Sequence, residues 1–336
     1  MIDSFCNSVW GLTYNKVREK ISKDEYKTFT IPKKKGIRTI TYLEPESNLF
    51  KLQKQLCTKF LNHQQHPLCV KGFVKGENYH TFLKVHIGSY YFLRIDIKSF
   101  FSSISKEMIE REIRDLFYAE SEDEENKLSN LVSDLVTLDN VLPQGTSTSP
   151  VISNLVMRRI DQRILKYCQT LNVKYTRYAD DLLFSSNNFD FTQKRWFLKK
   201  IKYILKTQNF CLNYSKIKNS TEILSLNGYV VSKNEIRLSR NRLSDIRRVV
   251  SFAKNNYVIY SEKGVEKFLI EANNLQLKHR DLSRYPFQTL FQFTQYLCGY
   301  RAYLISLIDH NLSTPFQKEM SKLIRKIESQ IITYSD

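Results

Sequence analysis

Glycine and proline are scarce, nine and seven in 336 residues. That excludes Gly/Ser-rich and proline-rich linkers and low-complexity segments, and there is no internal repeat. Long apolar runs are missing as well. None approaches the roughly 18 residues that a membrane-spanning helix needs. The start, Met1-Ile2-Asp3-Ser4-Phe5-Cys6, lacks a basic flank followed by an apolar stretch. The expectation is a cytoplasmic protein with no signal peptide and no membrane partner. Cysteine is present at Cys6, Cys57, Cys69, Cys168, Cys211 and Cys298, but none forms a C-x-x-C pair or stands at zinc-site spacing with histidine. Reduced, packed thiols are expected rather than zinc ligands. Acidic residues are outnumbered, 34 against 52 Lys and Arg, for a net charge of +18. Such an excess suits a partner rich in phosphate, because each neutralised phosphate releases counterions. A basic but merely soluble protein, or one that binds acidic lipid, is the other reading of charge alone.

What is present is an ordinary globular composition, 42% hydrophobic and 26% charged. The length allows two or three subdomains on a continuous core, or one large domain. Residues from about 12 to 30 read as polar and helix-like. Thr28 to Tyr42 reads as a hairpin, two β-rich runs around a basic turn that holds Gly36. Glu46 to Asn62 has helical spacing at Leu49, Leu52, Leu56 and Phe60. Tyr91 to Ile97 is a strand, and Lys106 to Phe117 a helix. The acidic cluster Glu120 to Glu125 is a solvated loop or a helix start. Pro150 to Gln169 is helical, Val173 to Ser186 is a strand pattern with two acids in its middle, and Trp196 to Lys206 is helical. Ile223 to Ser232 reads as another strand. From Ser239 onward the pattern is helical and basic. Mixed α and β without regular alternation argues against a doubly wound sheet.

Two places put carboxylates where strands normally exclude them. Asp180 and Asp181 lie between the apolar, β-prone arms Tyr175 to Tyr178 and Leu182 to Ser185. A plain hairpin with aspartates in its turn is one reading. The other is a rigid turn presenting two hard oxygen ligands, which suits Mg²⁺. Asp96 interrupts Phe92-Leu93-Arg94-Ile95-Asp96-Ile97 in the same way. Alone it reads as a strand-end acid capping a helix. With Asp180 and Asp181 it completes a set of three carboxylates able to bridge two divalent ions, the arrangement that two-metal phosphoryl transfer requires.

Tyr178-Ala179-Asp180-Asp181 resembles the Y-x-D-D box of reverse transcriptases. Arg94-Ile95-Asp96-Ile97-Lys98-Ser99-Phe100-Phe101 resembles the first palm motif of bacterial members, D-x-x-x-F-F. Leu142-Pro143-Gln144-Gly145 through Ser149-Pro150 resembles their L-P-Q-G-x-x-x-S-P motif. The resemblance runs from about residue 30 to about 305. It implies an α+β right-hand polymerase fold, with interleaved fingers and palm over 1–232 and a mainly helical, nucleic-acid-binding thumb over 233–336. The palm is expected to be an antiparallel sheet backed by helices. The implied activity is RNA-directed DNA polymerisation. Asp96, Asp180 and Asp181 would be catalytic and would bind two Mg²⁺ ions, with Mn²⁺ possible in vitro, and the carbonyl of Ile97 would be a further ligand. Phe101, five residues after Asp96, would lie under the sugar of the incoming deoxynucleotide and exclude a 2′-hydroxyl, unless it is a core ring. Gln144 and Gly145 would lie against the nascent base pair, with glycine permitting close backbone approach. Arg38, in a K-x-G-x-R-x-I pattern, would grip the triphosphate. Lys34 and Lys35 are candidates beside it, or plain surface lysines. Asn213-Tyr214-Ser215-Lys216 resembles the N-x-x-K motif, which would bring Lys216 toward the pyrophosphate. Leu226 to Val231 matches the place of the primer-grip hairpin. Arg237, Arg240, Arg242, Arg247, Arg248 and Lys254 crowd a region read as an amphipathic basic helix. It is either a solvated face or a thumb surface that follows the template–primer.

The chain is similar to retron reverse transcriptases in particular. That implies a structured noncoding RNA as template and primer, a branched RNA-linked single-stranded DNA (msDNA) as product, deoxynucleoside triphosphates as substrates, and a role in anti-phage defence with an effector protein. Two stretches depart from the retron pattern. Phe82-Leu83-Lys84-Val85-His86 keeps only the histidine of N-A-x-x-H, and Leu226-Asn227-Gly228 stands for V-T-G. A defence enzyme of the abortive-infection type with untemplated synthesis therefore remains an alternative, as does an inactive RNA-binding scaffold. The intact carboxylate trio speaks against the scaffold, since mutual repulsion of three acids serves nothing without metal.

Overall fold

A computed structural model describes residues 1–32, 37–117, 121–256, 262–308 and 314–335. Contacts divide the chain into Met1–Glu222 and Ile223–Asp336. In the first unit the order is α1 (Ile2–Trp10), α2 (Tyr14–Glu19), β1 (Tyr26–Pro32), β2 (Ile37–Leu43), α3 (Asn48–Lys59), α4 (Tyr79–Lys84), β3 (Tyr91–Asp96), α5 (Lys106–Arg114), α6 (Glu122–Val136), α7 (Ser149–Thr170), β4 (Lys174–Tyr178), β5 (Asp181–Ser186), α8 (Arg195–Lys206) and β6 (Lys218–Thr221). β1 and β2 form a two-stranded hairpin. The other four strands make one sheet, ordered β4-β5-β3-β6, with every pairing antiparallel. Every residue of β5, Asp-Leu-Leu-Phe-Ser-Ser, is buried, so the strand does not alternate between core and solvent. α7 and α8 back the sheet, and Leu155, Ile160, Ile164, Phe184, Phe197 and Ile201 share its core.

Local chemistry sets the helix starts. Ser47, Ser105 and Ser121 each accept a hydrogen bond from a backbone N–H three residues on, the N-cap arrangement. Glu122, Asp123, Glu124 and Glu125 fill the first turn of α6, where carboxylates meet the positive end of the helix dipole. The acidic cluster is thus a helix start, with Glu120 outside the described residues. Pro150 stands at the beginning of α7, where a missing N–H costs nothing.

The second unit begins with a small antiparallel sheet, β7 (Leu224–Leu226), β8 (Tyr229–Val231) and β9 (Ile236–Leu238). Four helices follow: α9 (Arg240–Asn255), α10 (Glu262–Asn273), α11 (Leu290–Ile305) and α12 (Pro315–Ser335). Phe252, Phe268, Phe287 and Tyr334 each pack edge to face against Phe293.

Two readings of the sequence need correction. The run 223–232 is a hairpin, not one strand: Asn227 and Gly228 take φ of 49° and 87°, the backbone of a two-residue reverse turn. That hairpin pairs with β9 within the second unit. Within 12–30 only Tyr14–Glu19 is α-helical, and Tyr26 already opens β1.

Candidate active site

Asp96 ends β3 and Asp181 opens β5, and the two are direct register partners. Asp180 sits in the turn between β4 and β5, after Ala179 in a left-handed conformation at φ 54°. Antiparallel pairing therefore brings Asp96 to one sheet end beside the consecutive Asp180 and Asp181, far from it in the chain. Neighbouring backbone fixes them. Ile97 N–H donates to the carbonyl of Asp180 (3.0 Å), and Asn213 N–H donates to that of Asp96 (2.8 Å).

Side chains complete the site. Asn213 Nδ2 donates to Asp96 Oδ1 at 3.0 Å and Lys216 Nζ to Asp96 Oδ2 at 2.7 Å. Arg94 donates twice to Asp181 Oδ1, from Nε at 2.9 Å and Nη2 at 2.6 Å. Asp96 and Asp181 are buried, at 2% and 8% exposure. Burial raises the carboxyl of Asp180 above the usual range, and the charge of Asp96 adds to the rise. Burial also raises Asp181, against the opposing pull of Arg94.

The donor set fits a hard divalent cation: oxygen ligands only, negative charge converging at one sheet end, and an Asp180 carboxylate whose charge burial disfavours. Among the described residues no three acidic, histidine or cysteine side chains already stand at metal-holding distances. The contacts give the reason. Asp96 is turned to Lys216 and Asn213, and Asp181 to Arg94, so two protein cations balance the carboxylates.

Behind the turn lies a buried polar brace. Arg177, in β4, is fully buried and pairs with Asp161 of α7, also at 0% exposure. Its Nε and Nη2 bind both Asp161 oxygens at 2.8 to 3.0 Å. Nη2 also donates to Asn154 Oδ1 (3.1 Å) and Nη1 to the carbonyl of Ala179 (3.1 Å). Asn154 Nδ2 in turn donates to the carbonyl of Gly72 (2.9 Å), and Tyr175 OH to Asp161 Oδ1 (2.8 Å). A Cβ on Gly72 would stand 2.6 Å from the backbone nitrogen of Ala179. Gly72→Ala therefore pushes directly on the turn that carries Asp180. We expect DNA synthesis to fall about 100-fold, the order expected for a displacement near 1 Å, with a much smaller change in urea-unfolding midpoint. Primer extension and unfolding measured on one preparation test this, and unchanged extension would refute it.

The remaining candidates fall as follows. Phe100 is buried, while Phe101 is half-buried, 6.3 Å from the ring of Phe73. Gly145 has φ 124°, and its close neighbours are Thr41 and Ile40 of β2, while Gln144 accepts a hydrogen bond from Thr41 N–H at 2.8 Å. The glycine thus admits the chain's own hairpin. Arg38 is exposed on β2, and Lys34 and Lys35 lie outside the described residues. In the second unit Arg237 is on β9, ahead of the helix, because Ile236 and Leu238 alternate with it in a strand. Arg240 and Lys254 are exposed on α9. Arg242 lies 5.2 Å over the ring of Tyr303, Arg247 pairs with Glu319, and Arg248 donates to the carbonyl of Gln276. Sequence reading missed Arg94, Asn213, Arg177, Asp161, Asn154 and Gly72 as site residues. Asn213, the N of N-x-x-K, and Arg94, at the start of the first palm motif stretch, each stood inside a motif without being assigned a role.

His86 is fully buried, Nδ1 against Ser185 Oγ and Nε2 against Thr176 Oγ1, both at 2.7 Å. Burial, helped by Lys174, lowers its pKa from 6.5 to about 3. The depressed value means that the unfolded chain binds the extra proton between those two pH values. Stability is therefore whole above pH 6.5 and is lost as pH falls, by about 1.4 kcal/mol per unit. Urea unfolding at pH 5 should show about 2 kcal/mol less stability than at pH 7, and His86→Gln should remove that part of the slope. An unchanged slope in the variant would count against this.

The family model for reverse transcriptase (RNA-dependent DNA polymerase) matches residues 14–255. The chain belongs to the reverse transcriptase family. It is 28% identical over 269 residues to the retron Ec86 reverse transcriptase of Escherichia coli, covering 77% of this chain and 80% of that one. It is 31% identical over 172 residues to the retron Ec83 reverse transcriptase of the same species, where it spans about half of the relative, 54%. Among solved structures, telomerase from Candida albicans aligns with a TM-score of 0.50 at 12% identity, covering 92% of this chain and 64% of that one. At that identity the likeness shows the fold, and the fold is the expected α+β polymerase. This reverse transcriptase is an RNA-directed DNA polymerase resembling the retron enzymes, and its family uses divalent metal ions. No described helix is long and apolar enough to cross a membrane.

Proposed function

We propose that this reverse transcriptase copies part of one structured noncoding RNA into a branched, RNA-linked single-stranded DNA, as a retron enzyme acting with an effector protein in anti-phage defence. The observation that carries the catalytic part is the register pairing of Asp96 with Asp181 beside the Asp180 turn. Similarity to retron enzymes supports the choice of product. The first unit would supply fingers and palm, and the second the thumb.

Two Mg²⁺ ions, when bound, would activate the attacking 3′-hydroxyl and stabilise the leaving pyrophosphate. Asp96, Asp180 and Asp181 would hold them, with the Ile97 carbonyl as a further ligand. Arg94 and Lys216 would give up their carboxylate contacts as the metals enter. Lys216, 51% exposed at its side chain, would then be free to meet the pyrophosphate. Arg38 would clamp the triphosphate of the incoming deoxynucleotide, Gln144 would meet the nascent base pair, and Phe101 would crowd a 2′-hydroxyl. The exposed cations Arg237, Arg240 and Lys254 would meet the nucleic-acid backbone.

The test is to sequence the nucleic acid that co-purifies with the protein and with Asp180→Asn/Asp181→Asn. One DNA species joined to a structured RNA, absent from the variant, is the expected result. Heterogeneous DNA without a template would move the enzyme to the abortive-infection type. DNA unchanged in the variant would overturn the catalytic assignment.

A further inference from the structure

The outer face of α8 is strongly basic and aromatic. Its sequence, RWFLKKIKYILK, contains no carboxylate. Arg195, Lys199, Lys200, Lys202 and Lys206, with the aromatic Trp196 and Tyr203, account for every exposed position on it. Among the described residues none of those five cations is paired with an acid, whereas in the second unit Arg247 is held by Glu319 and Arg301 by Glu328. Five like charges on about three turns repel one another, and among the described residues no carboxylate offsets them.

The aromatic residues are equally out of place as core. Trp196 is 48% exposed and Tyr203 61%. They are seven residues apart, so they share one side of the helix about 10 Å apart along its axis. Lys199 and Lys200 stand between them, three and four residues beyond Trp196. Lys200 lies over the Tyr203 ring at 5.5 Å. The stripe continues off the helix: Lys202 lies 5.4 Å over the ring of Tyr214, itself 58% exposed. Tyr214 opens the short turn to Lys216, whose ammonium reaches Asp96. A basic, aromatic track therefore runs from α8 to the catalytic carboxylates.

Flat rings alternating with unpaired cations match unpaired nucleotides, which offer a stackable base and a phosphate at each step. A membrane is a poorer match. The aliphatic side of α8, Phe197, Ile201, Ile204 and Leu205, is buried in the core, so no continuous apolar face remains to enter lipid. On the reading of this chain as an RNA-copying polymerase, we propose that α8 and Tyr214 form a binding track for a single-stranded segment of RNA, separate from the template–primer duplex, with Trp196 and Tyr203 as its stacking platforms.

The experiment uses the full chain, with a stem-loop RNA carrying an unpaired uridine tail and the same stem-loop made blunt. Trp196→Ala/Tyr203→Ala should weaken binding of the tailed RNA by about tenfold or more and leave the blunt RNA unaffected. Lys199→Gln/Lys200→Gln should lower the slope of log affinity against log salt by about 1.4 for the tailed RNA, two phosphate contacts on a single strand. Both variants should extend a short, pre-annealed template–primer at the parent rate. Unchanged affinity for the tailed RNA would overturn the proposal, as would an equal loss on the blunt stem-loop. So would competition by anionic vesicles or polyglutamate at lower concentration than RNA, which would assign the track to a membrane or an acidic protein. If the parent itself fails to extend the template–primer, the polymerase reading falls. The binding comparison then still decides whether α8 holds RNA.

Discussion

Replacing Asp180 by Asn is expected to lower DNA synthesis by about 10³-fold or more and to leave the metal-free protein as stable as the parent, or more stable. The two effects share one cause. Asp180 is partly withdrawn from water and faces Asp96, and both circumstances push its carboxyl toward the neutral form. An amide keeps the shape of the side chain and removes the charge that disfavours the turn. It also removes a hard anionic oxygen that a metal ion needs, and metal-assisted stabilisation of developing charge is worth several kcal/mol in reactions of this kind. Stability is read from urea unfolding in chelator, and activity from single-turnover extension. A variant that loses activity through unfolding would show a lowered midpoint, and that result would place Asp180 among the structural residues instead.

The second large effect concerns the buried brace. Arg177→Met alone should cost about 3–5 kcal/mol, because it leaves Asp161 charged, buried and without its cation. Adding Asp161→Leu should restore most of that loss, since apolar side chains of similar size often replace a buried ion pair at little net cost. Activity should not return with it. Arg177 Nη1 holds the carbonyl of Ala179, and Ala179 keeps a left-handed backbone that its neighbours must impose. Without that hydrogen bond the turn relaxes, and we expect extension to stay about 100-fold below the parent. A double variant that is both stable and fully active would show that the pair supports the fold without positioning the turn.

The aspartates proposed to carry catalysis are legible in the sequence because each breaks a local rule. Aspartates inside the apolar strands around 96 and 180 have no propensity argument behind them, so chemistry is the economical reading. Helical spacing places α3, α7 and α8 to within a few residues, and the scarcity of acids points to a polyanionic partner. Local patterns fail where pairing partners decide. The hairpin at 224–231 looks like one strand because a two-residue turn at Asn227-Gly228 hardly interrupts the apolar run. Arg237 reads as helical although it alternates in β9. Gly145 suits a close approach, but the group that approaches is the backbone of Thr41.

By itself, then, the sequence determined the family, because its motifs are short runs read in order along the chain, and it singled out three aspartates in apolar surroundings. Only the tertiary structure decided what holds those carboxylates. Arg94 reaches Asp181 through a diagonal across two strands whose residues lie 87 apart in the chain, and Asn154 reaches Gly72 across 82 residues. Contacts of that kind are fixed by strand register and by which helix face turns inward. Register is a property of packed pairs of elements, and no single stretch of chain contains it.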